Sequence, residues 1–222
     1  LYEGSLVTIG GRTSSGKTAL GCNLAVNIAK GGIPVIFFSI EMPGWQIINR
    51  LASIYTEVPK DIVALKKSEY WLEITDLPIF FDCRTNVFIE DIEDRMYDIN
   101  IQKYEKKVLI IDYLQLIQLR NYSRTIEELE TITRRLKLLA RKHRCVIFLL
   151  SQLNREIEKR PDKDPKLSDL RGCGSIEQDS SVVMFIYEKN KEDFVYIAKN
   201  REGRIVQIPI DFNKNNGIIK EI

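Results

Sequence analysis

The nine residues GGRTSSGKT, at positions 10–18, constrain the fold of this chain more than any other stretch. They follow the apolar run SLVTIG and precede a helical pattern, so they join a strand to a helix. The spacing is glycine, four residues, then Gly-Lys-Thr, in which glycines let the backbone wrap closely around an anion. N–H groups of the loop and of the helix N-terminus then point at that anion. The residues predicted to line bound phosphates are Gly11, Ser14, Ser15, Gly16, Lys17, Thr18 and Ala19.

Three side chains complete the prediction of a nucleotide site. Lys17 can reach the β- and γ-phosphates, and the Thr18 hydroxyl can ligate Mg²⁺. Asp112 ends the buried run VLIID, where a second metal ligand is expected at the carboxyl edge of a parallel sheet. A Gly/Ser-rich turn and a strand-end aspartate that caps the next turn are the structural alternatives.

Two further residues are predicted at the same sheet edge. Glu41 ends the run VIFFSIE and is positioned to accept the proton of an attacking water. Gln152 ends LLSQ and can sense a γ-phosphate through a hydrogen bond. Strand ends often carry polar residues, so spacing alone leaves a structural role open for both.

The remaining pattern predicts an α/β fold. Apolar runs at 5–10, 34–41, 79–83, 108–117 and 145–152 suit strands that are buried on both faces of a parallel sheet. They alternate with candidate helices at about 17–30, 44–56, 88–103 and 126–144, which indicates a doubly wound sheet. After residue 180, three closely spaced runs predict an antiparallel extension. Residues 154–175 form a long polar segment, predicted to be a functional loop.

Composition excludes several other classes. The 222 residues carry 33 basic and 31 acidic side chains, so any electrostatic site must be a local patch. A single histidine argues against a histidine-rich metal site, and four cysteines without a C-x-x-C pair suit reduced thiols in a cytoplasmic protein. No apolar run approaches a membrane span. The chain begins without methionine, and we expect an excised domain of a longer protein.

The order of GRTSSGKT, FFSIEM, IIDYLQLI, SQLNREIEKRPDKDPKLSDLRGCGSIEQD and IAKNREG resembles the RecA-like motor domain of DnaB-type replicative DNA helicases. The resemblance covers nearly the whole chain. It implies one RecA-like ATPase domain over residues 1–222, a mostly parallel twisted sheet flanked by helices with an antiparallel C-terminal extension. The N-terminal domain and linker of such helicases lie outside this sequence. It also implies ATP or another nucleoside triphosphate, Mg²⁺, a homohexameric ring and 5′ to 3′ movement on single-stranded DNA, with primase and a helicase loader as partners.

The resemblance also assigns roles by position. Lys17 and Thr18 would bind phosphate and Mg²⁺, Asp112 would hold the metal, Glu41 would be the base and Gln152 the γ-phosphate sensor. Arg50, nine residues after Glu41, would lie near the triphosphate.

The turn in AKNREGRIV carries Lys199 and Arg201, for which a solvated hairpin tip is the simpler interpretation. In the family this Lys-Asn-Arg turn reaches into the neighbouring subunit's site. We therefore expect both cations to lack partners in their own subunit.

The DNA-binding prediction rests on DLRGCGS, which resembles the channel loop of the family. Arg171 would supply charge, and Gly172 and Gly174 would let backbone N–H groups approach DNA phosphates. Arg124 is a second candidate. A loop arginine paired with Asp169 is the alternative for Arg171.

Two other functions remain open at this point. A RecA- or RadA-type recombinase would share the phosphate loop but not the long loop sequence. A nucleotide-binding regulator or loader would hold ATP without translocating. Three departures from the family pattern are Thr13 in place of proline, Gly172 and Cys173 in place of an acid and a serine, and RIV after KNREG in place of a Pro-Thr-Gly turn.

Overall fold

The fold, taken from a computed structural model that describes residues 2–120, 126–170 and 172–222, is built on a nine-stranded sheet. In chain order the strands are β1 (Leu6–Gly11), β2 (Val35–Ser39), β3 (Ile79–Asp82), β4 (Val87–Phe88), β5 (Val108–Asp112), β6 (Ile117–Gln118), β7 (Val146–Gln152), β8 (Val182–Lys189), β9 (Glu192–Asn200), β10 (Val206–Asn213) and β11 (Ile218–Glu221). The large sheet has the order β11-β10-β9-β8-β1-β7-β5-β2-β3, and β4 pairs with β6 separately.

The pairing between neighbouring strands changes from parallel to antiparallel once, at β8. Strands β3, β2, β5, β7, β1 and β8 run parallel, whereas β9, β10 and β11 continue from β8 as antiparallel neighbours. This confirms the predicted mostly parallel sheet with an antiparallel C-terminal extension.

The uninterrupted apolar strands are explained by burial on both faces. Along β2, Ile36 and Phe38 pack into one hydrophobic cluster while Phe37 packs into the other, on the opposite face. Leu109 and Ile110 of β5 divide in the same way. Each face is covered, so period-2 alternation of apolar and polar residues is absent from the central strands.

Eight helices are described: α1 (Lys17–Lys30), α2 (Gly44–Thr56), α3 (Lys60–Leu65), α4 (Lys67–Leu72), α5 (Ile89–Arg95), α6 (Ile99–Gln102), α7 (Ile126–Lys142) and α8 (Cys173–Asp179). The helices expected near 17–30 and 44–56 are confirmed, and α7 ends two residues before the predicted boundary. The single helix expected over 88–103 is wrong, because the Asp98 side chain accepts a hydrogen bond from Asn100 N and caps a separate α6.

Other boundaries differ for local reasons. The run 108–117 leaves the large sheet at Asp112, and Leu114 and Ile117 pack into the core from a 3₁₀ turn and β6. β2 ends at Ser39, whose hydroxyl donates to the Met42 carbonyl, so Glu41 follows the strand instead of ending it. The predicted loop over 154–175 contains two 3₁₀ turns and the start of α8.

Within the described ranges, no helix is both long and apolar enough to cross a membrane.

Candidate nucleotide site and the opposite sheet edge

Four strand ends bring the residues predicted for the nucleotide site, apart from Lys199 and Arg201, to one edge of the sheet. In the register of the sheet, Gly11 of β1 lies beside Gln152 of β7, and Ser39 of β2 lies beside Asp112 of β5. These are the carboxyl ends of parallel strands, the edge at which open α/β sheets bind ligands. The main chain also joins them, since Ile40 N donates to the Asp112 carbonyl at 2.9 Å.

A cleft of about 600 Å³ opens at this edge. It collects most of the predicted side chains and several that the sequence did not indicate. Its lining residues are Thr13, Ser14, Gly16, Lys17, Thr18, Ala19, Glu41, Met42, Arg50, Lys60, Tyr113, Gln152, Phe212 and Lys214. Gly11 lies beneath the cleft at the end of β1, and Ser15 lines a neighbouring cavity of about 360 Å³ behind the loop.

The loop geometry depends on Gly16. Its φ is 101°, in the left-handed region, and a Cβ built there would lie 2.8 Å from the Phe212 ring. The residue therefore has to be glycine on two independent grounds, backbone conformation and space. Helix α1 begins at the next residue, with no side-chain cap and no acid in its first turn. Its free N–H groups are therefore available to an anion.

Lys17 is held in place by the loop itself. Its ammonium donates to the carbonyls of Gly11 at 3.0 Å and Arg12 at 2.8 Å. Burial lowers the pKa of Lys17, and the nearby carboxylates of Asp112 and Glu41 oppose that effect. The cation thus lies between the loop and two acids, and a bound phosphate would favour the charged form of Lys17, which burial disfavours.

Asp112 is the most perturbed acid of the site. It is 1% exposed, and one carboxylate oxygen, Oδ2, accepts from the Thr18 hydroxyl at 2.7 Å. The other, Oδ1, is buried without a hydrogen-bond partner among the described residues. Burial raises the pKa of Asp112 to about 6, although Thr18 opposes this through its hydrogen bond.

These features suit a magnesium ion. A buried carboxylate with a free oxygen, next to a hydroxyl, offers oxygen ligands to a cation that keeps waters and takes the rest from phosphates. Among the described residues, no group of three His, Cys, Asp or Glu side chains could hold a metal alone. The donor set therefore fits a metal that arrives with a nucleotide.

Gln152 is tied to the phosphate loop. Its Nε2 donates to Thr13 Oγ1 at 2.8 Å, and its main-chain N–H donates to Gln115 Oε1 at 3.2 Å. Arg12 of the loop also pairs with Glu158, just beyond β7. The loop and the segment after β7 are therefore linked by two side-chain contacts, and Gln115, which the sequence analysis did not single out, orients the end of β7.

Arg50 and Glu41 lie in the cleft without close ion pairs among the described residues. Arg50, from α2, is near enough to lower the pKa of Asp112 slightly, and Glu41 raises it. Glu41 is exposed to solvent, which keeps it available to a water molecule.

The side chains missed by sequence analysis come from distant parts of the chain. Phe212 and Lys214 follow the loop by nearly 200 residues and arrive through the antiparallel extension, while Lys60 begins α3. No local spacing pattern links them to the phosphate loop. Their approach depends on the sheet order, which places β10 two strands from β8.

Lys199 and Arg201 lie at the opposite edge. Arg201 N donates to the Ser181 carbonyl at 3.1 Å, and Ser181 N donates to the Leu6 carbonyl at 2.7 Å, so the turn is level with the start of β1. The phosphate loop follows the end of the same strand. Five residues of strand separate the two levels, or about 17 Å.

The expectation that these two cations lack partners in their own subunit is wrong. Lys199 Nζ donates to the Glu177 carbonyl, and Arg201 donates to the Gln178 carbonyl. Both acceptors belong to the last turn of α8, whose carbonyls have no partner within the helix. Within the described part of the chain, both cations are thus bonded to main-chain carbonyls.

The predicted DNA-binding residues are only partly described. Arg124 and Arg171 lie outside the described residues. Gly172 adopts a left-handed φ of 86° immediately before α8, and Gly174 is exposed with nothing near its Cβ position. Asp169, the alternative partner for Arg171, accepts from Arg160 with both carboxylate oxygens, at 2.8 and 2.9 Å.

Fold and site together define a P-loop nucleotide-binding domain with a RecA-like sheet. The chain belongs to the DnaB-like helicase C-terminal domain family, whose model matches residues 1–220. Membership in this family implies that the domain uses a nucleotide.

Relatives and solved structures agree with this assignment. The chain is 35% identical to a probable replicative DNA helicase of Trieres chinensis and to the replicative DNA helicase DnaB of Haemophilus influenzae, over 96% of its length. It spans about half the length of these relatives, 52% and 50%.

Two solved structures share the fold. One is the ATPase domain of another protein, with a TM-score of 0.91 at 28% identity over 100% of this chain and 86% of that one. The other is a DnaB-like replicative helicase, described with its interactions with primase, with a TM-score of 0.90 at 28% identity. That match covers 98% of this chain and 57% of the other.

Proposed function

We propose that residues 1–222 are a single motor domain of a replicative DNA helicase whose N-terminal domain and linker lie outside this sequence. In this proposal the full-length chain forms a homohexameric ring, hydrolyses ATP between subunits and moves 5′ to 3′ along single-stranded DNA. The family and the relatives support this, since the relatives are replicative DNA helicases of about twice this length.

One observation carries the proposal: the phosphate loop and the Lys199–Arg201 turn lie at opposite edges of the same sheet. A subunit cannot bring its own Arg201 to its own Lys17 across a strand length. Head-to-tail packing brings the loop edge of one subunit against the turn edge of the next. A composite site then needs two subunits, as a ring motor requires.

Within the cleft, each side chain has a distinct task. Lys17 binds the β- and γ-phosphates, and the N–H groups that begin α1 contact the same anion. Asp112 and Thr18 would hold Mg²⁺, which when bound neutralises charge on the phosphate oxygens. Phe212 presents an aromatic ring beside Gly16, and Arg50 adds a cation near the triphosphate.

Hydrolysis transfers the γ-phosphoryl group to water. The water oxygen bonds to the γ-phosphorus, the bond to the bridging β–γ oxygen breaks, and ADP and phosphate leave. Glu41 accepts the proton of the water. Gln152 donates to a γ-phosphate oxygen in exchange for its bond to Thr13, and the neighbour's Arg201 and Lys199 stabilise the charge that develops.

Single-stranded DNA is proposed to bind at Gly172 and Gly174, with Arg171 and Arg124 supplying positive charge. Contacts to phosphates carry no sequence information, so binding is expected to be nonspecific and salt-dependent. Primase and a helicase loader are the expected protein partners, and the cytoplasm is the expected location.

The test is unwinding of a forked duplex by the full-length protein with ATP and Mg²⁺. Wild-type protein should unwind and form rings in micrographs, whereas Lys17→Ala should form rings without unwinding because the phosphates lose their cation. DNA-stimulated ATPase without unwinding, on helical filaments, would instead identify a recombinase. ATP binding without DNA-stimulated turnover would identify a regulator.

A further inference from the structure

The last turn of α8 binds Lys199 and Arg201, the two cations at the edge of the sheet opposite the phosphate loop. The carbonyls of Glu177 and Gln178 accept from Lys199 and Arg201, respectively. Carbonyls in the last turn of a helix point away from it and carry partial negative charge, so they hold cations well. The position of α8 therefore sets where Lys199 and Arg201 lie.

Asp179, the last residue of α8, is the acid that acts on both lysines of this group. It is 9% exposed, and its Oδ1 pairs with Arg134 Nη1 at 3.3 Å. Its charge also reaches two lysines. Burial lowers the pKa of Lys137 and of Lys199, and Asp179 opposes the decrease in both, while Glu177 opposes it more strongly for Lys199. Arg201 adds to the decrease for both lysines, so the cations of this group repel one another.

The end of α8 is fixed to the central sheet next to Asp179. Ser180 is fully buried, and its hydroxyl lies 2.7 Å from that of Thr8 on β1. Lys137 is held by Ser181 Oγ at 2.9 Å and the Gly4 carbonyl at 3.2 Å. Thus hydrogen bonds link the end of α8 to the central sheet, and the carboxylate of Asp179 lies among cations.

We propose that Asp179 is a positioning residue for the cations that act on the neighbouring subunit's nucleotide. Its carboxylate offsets the repulsion between Arg134, Lys137, Lys199 and Arg201, and so keeps the turn seated on α8. The inference rests on the proposed function, because it requires Lys199 and Arg201 to work across the interface. Asp179 itself contacts no nucleotide.

The test uses the full-length ring with Asp179→Asn, which keeps the shape and removes the charge. We expect kcat for ATP hydrolysis to fall by about 10²-fold, the effect of misplacing a catalytic group by about 1 Å. KM for ATP should stay within about twofold, since Lys17 and its loop lie at the other edge. Asp179→Glu, which restores the charge, should recover much of the loss in kcat.

The controls separate positioning from general damage. Asp211→Asn, an exposed acid of β10, should leave kcat unchanged, and the melting temperature of Asp179→Asn should stay close to that of the wild type. A normal kcat in Asp179→Asn would overturn the inference. So would a loss in which KM rises and the melting temperature falls together, because the role would then be structural.

Arg201→Ala is measured beside these variants. If Arg201→Ala is slow and Asp179→Asn is normal, the inference fails and the proposed function stands. If Arg201→Ala turns over like the wild type, the assignment of Arg201 across the interface fails, and the inference fails with it.

Discussion

Two inactive variants should restore ATPase activity to each other when their subunits share a ring. Arg201→Ala keeps its own Glu41 but gives its neighbour no guanidinium, and Glu41→Gln keeps Arg201 but loses its own base. A site is complete where an Arg201→Ala subunit receives Arg201 from a Glu41→Gln neighbour.

The expected magnitude follows from the geometry. About 17 Å of strand separates the level of Arg201 from the phosphate loop, much more than an arginine side chain can span, so Arg201 contributes nothing in its own subunit. Loss of such a cation costs roughly 10³–10⁵ in rate, so Arg201→Ala alone should be nearly inactive. Glu41→Gln alone should be nearly inactive because it has no base to accept the proton of the water. With random mixing in equal amounts, about a quarter of the sites pair correctly across head-to-tail interfaces.

The assay is steady-state ATP hydrolysis with single-stranded DNA, at several mixing ratios, after native mass spectrometry has shown that mixed rings form. Activity should be greatest at equal amounts and vanish at either extreme. Demonstrably mixed rings that stay inactive at every ratio would refute independent composite sites. Activity of Arg201→Ala rings alone would refute the role of Arg201 across the interface.

The remaining predictions concern the cleft and the DNA loop. Glu41→Gln should bind nucleotide normally in a fluorescence titration while hydrolysis falls by orders of magnitude, because an amide cannot take the proton; parallel loss of both would make Glu41 structural. Asp112→Asn should stabilise the nucleotide-free protein at pH 8. The pKa of Asp112 in the folded protein, about 6, lies above the ordinary value of 3.8. The contribution of protonated Asp112 to stability is therefore fully present below about pH 4 and is lost as pH rises through 6. A pKa difference of about two corresponds to about 3 kcal/mol, so thermal melts should show a gain at pH 8 that shrinks towards pH 4. Gly16→Ala should cost about 1–3 kcal/mol in chemical denaturation, through its left-handed backbone and the contact with Phe212, and an unchanged midpoint would contradict that geometry. Arg171→Ala should weaken single-stranded DNA binding equally for all sequences and reduce the salt slope by about one, whereas an unchanged slope would place the phosphate contacts elsewhere.

The central parallel strands and the helices α1, α2 and α7 could be predicted because they depend on local patterns. The apolar run before Gly11 and the glycine spacing after it determine β1, the loop and α1 together. The ends of β5 and β7 follow from the same logic, and so Asp112 and Gln152 lie where they were expected.

Several features that sequence analysis missed depend on tertiary contacts, while the split of the helix over 88–103 depends on the local cap at Asp98. Phe212 and Lys214 line the cleft from the antiparallel extension, whose position in the strand order no short pattern encodes. Lys199 and Arg201 donate to main-chain carbonyls. Every residue type has such a carbonyl, so the sequence could not indicate which residues would accept these hydrogen bonds. Helix α8 was missed because its sequence is polar and follows a long polar loop.

The opposite placement of the phosphate loop and the Arg201 turn has a consequence for assemblies with ends. Any open chain of subunits, whether a short oligomer or a ring breached at one interface, exposes one loop edge without a partner turn and one turn edge without a partner loop. Under the proposed arrangement, an open arc of n subunits has n − 1 complete sites, and only closure completes the last. A DNA strand without a free end can enter the ring only through a gap between two subunits. One ATPase site would therefore be inactive for as long as that gap persists.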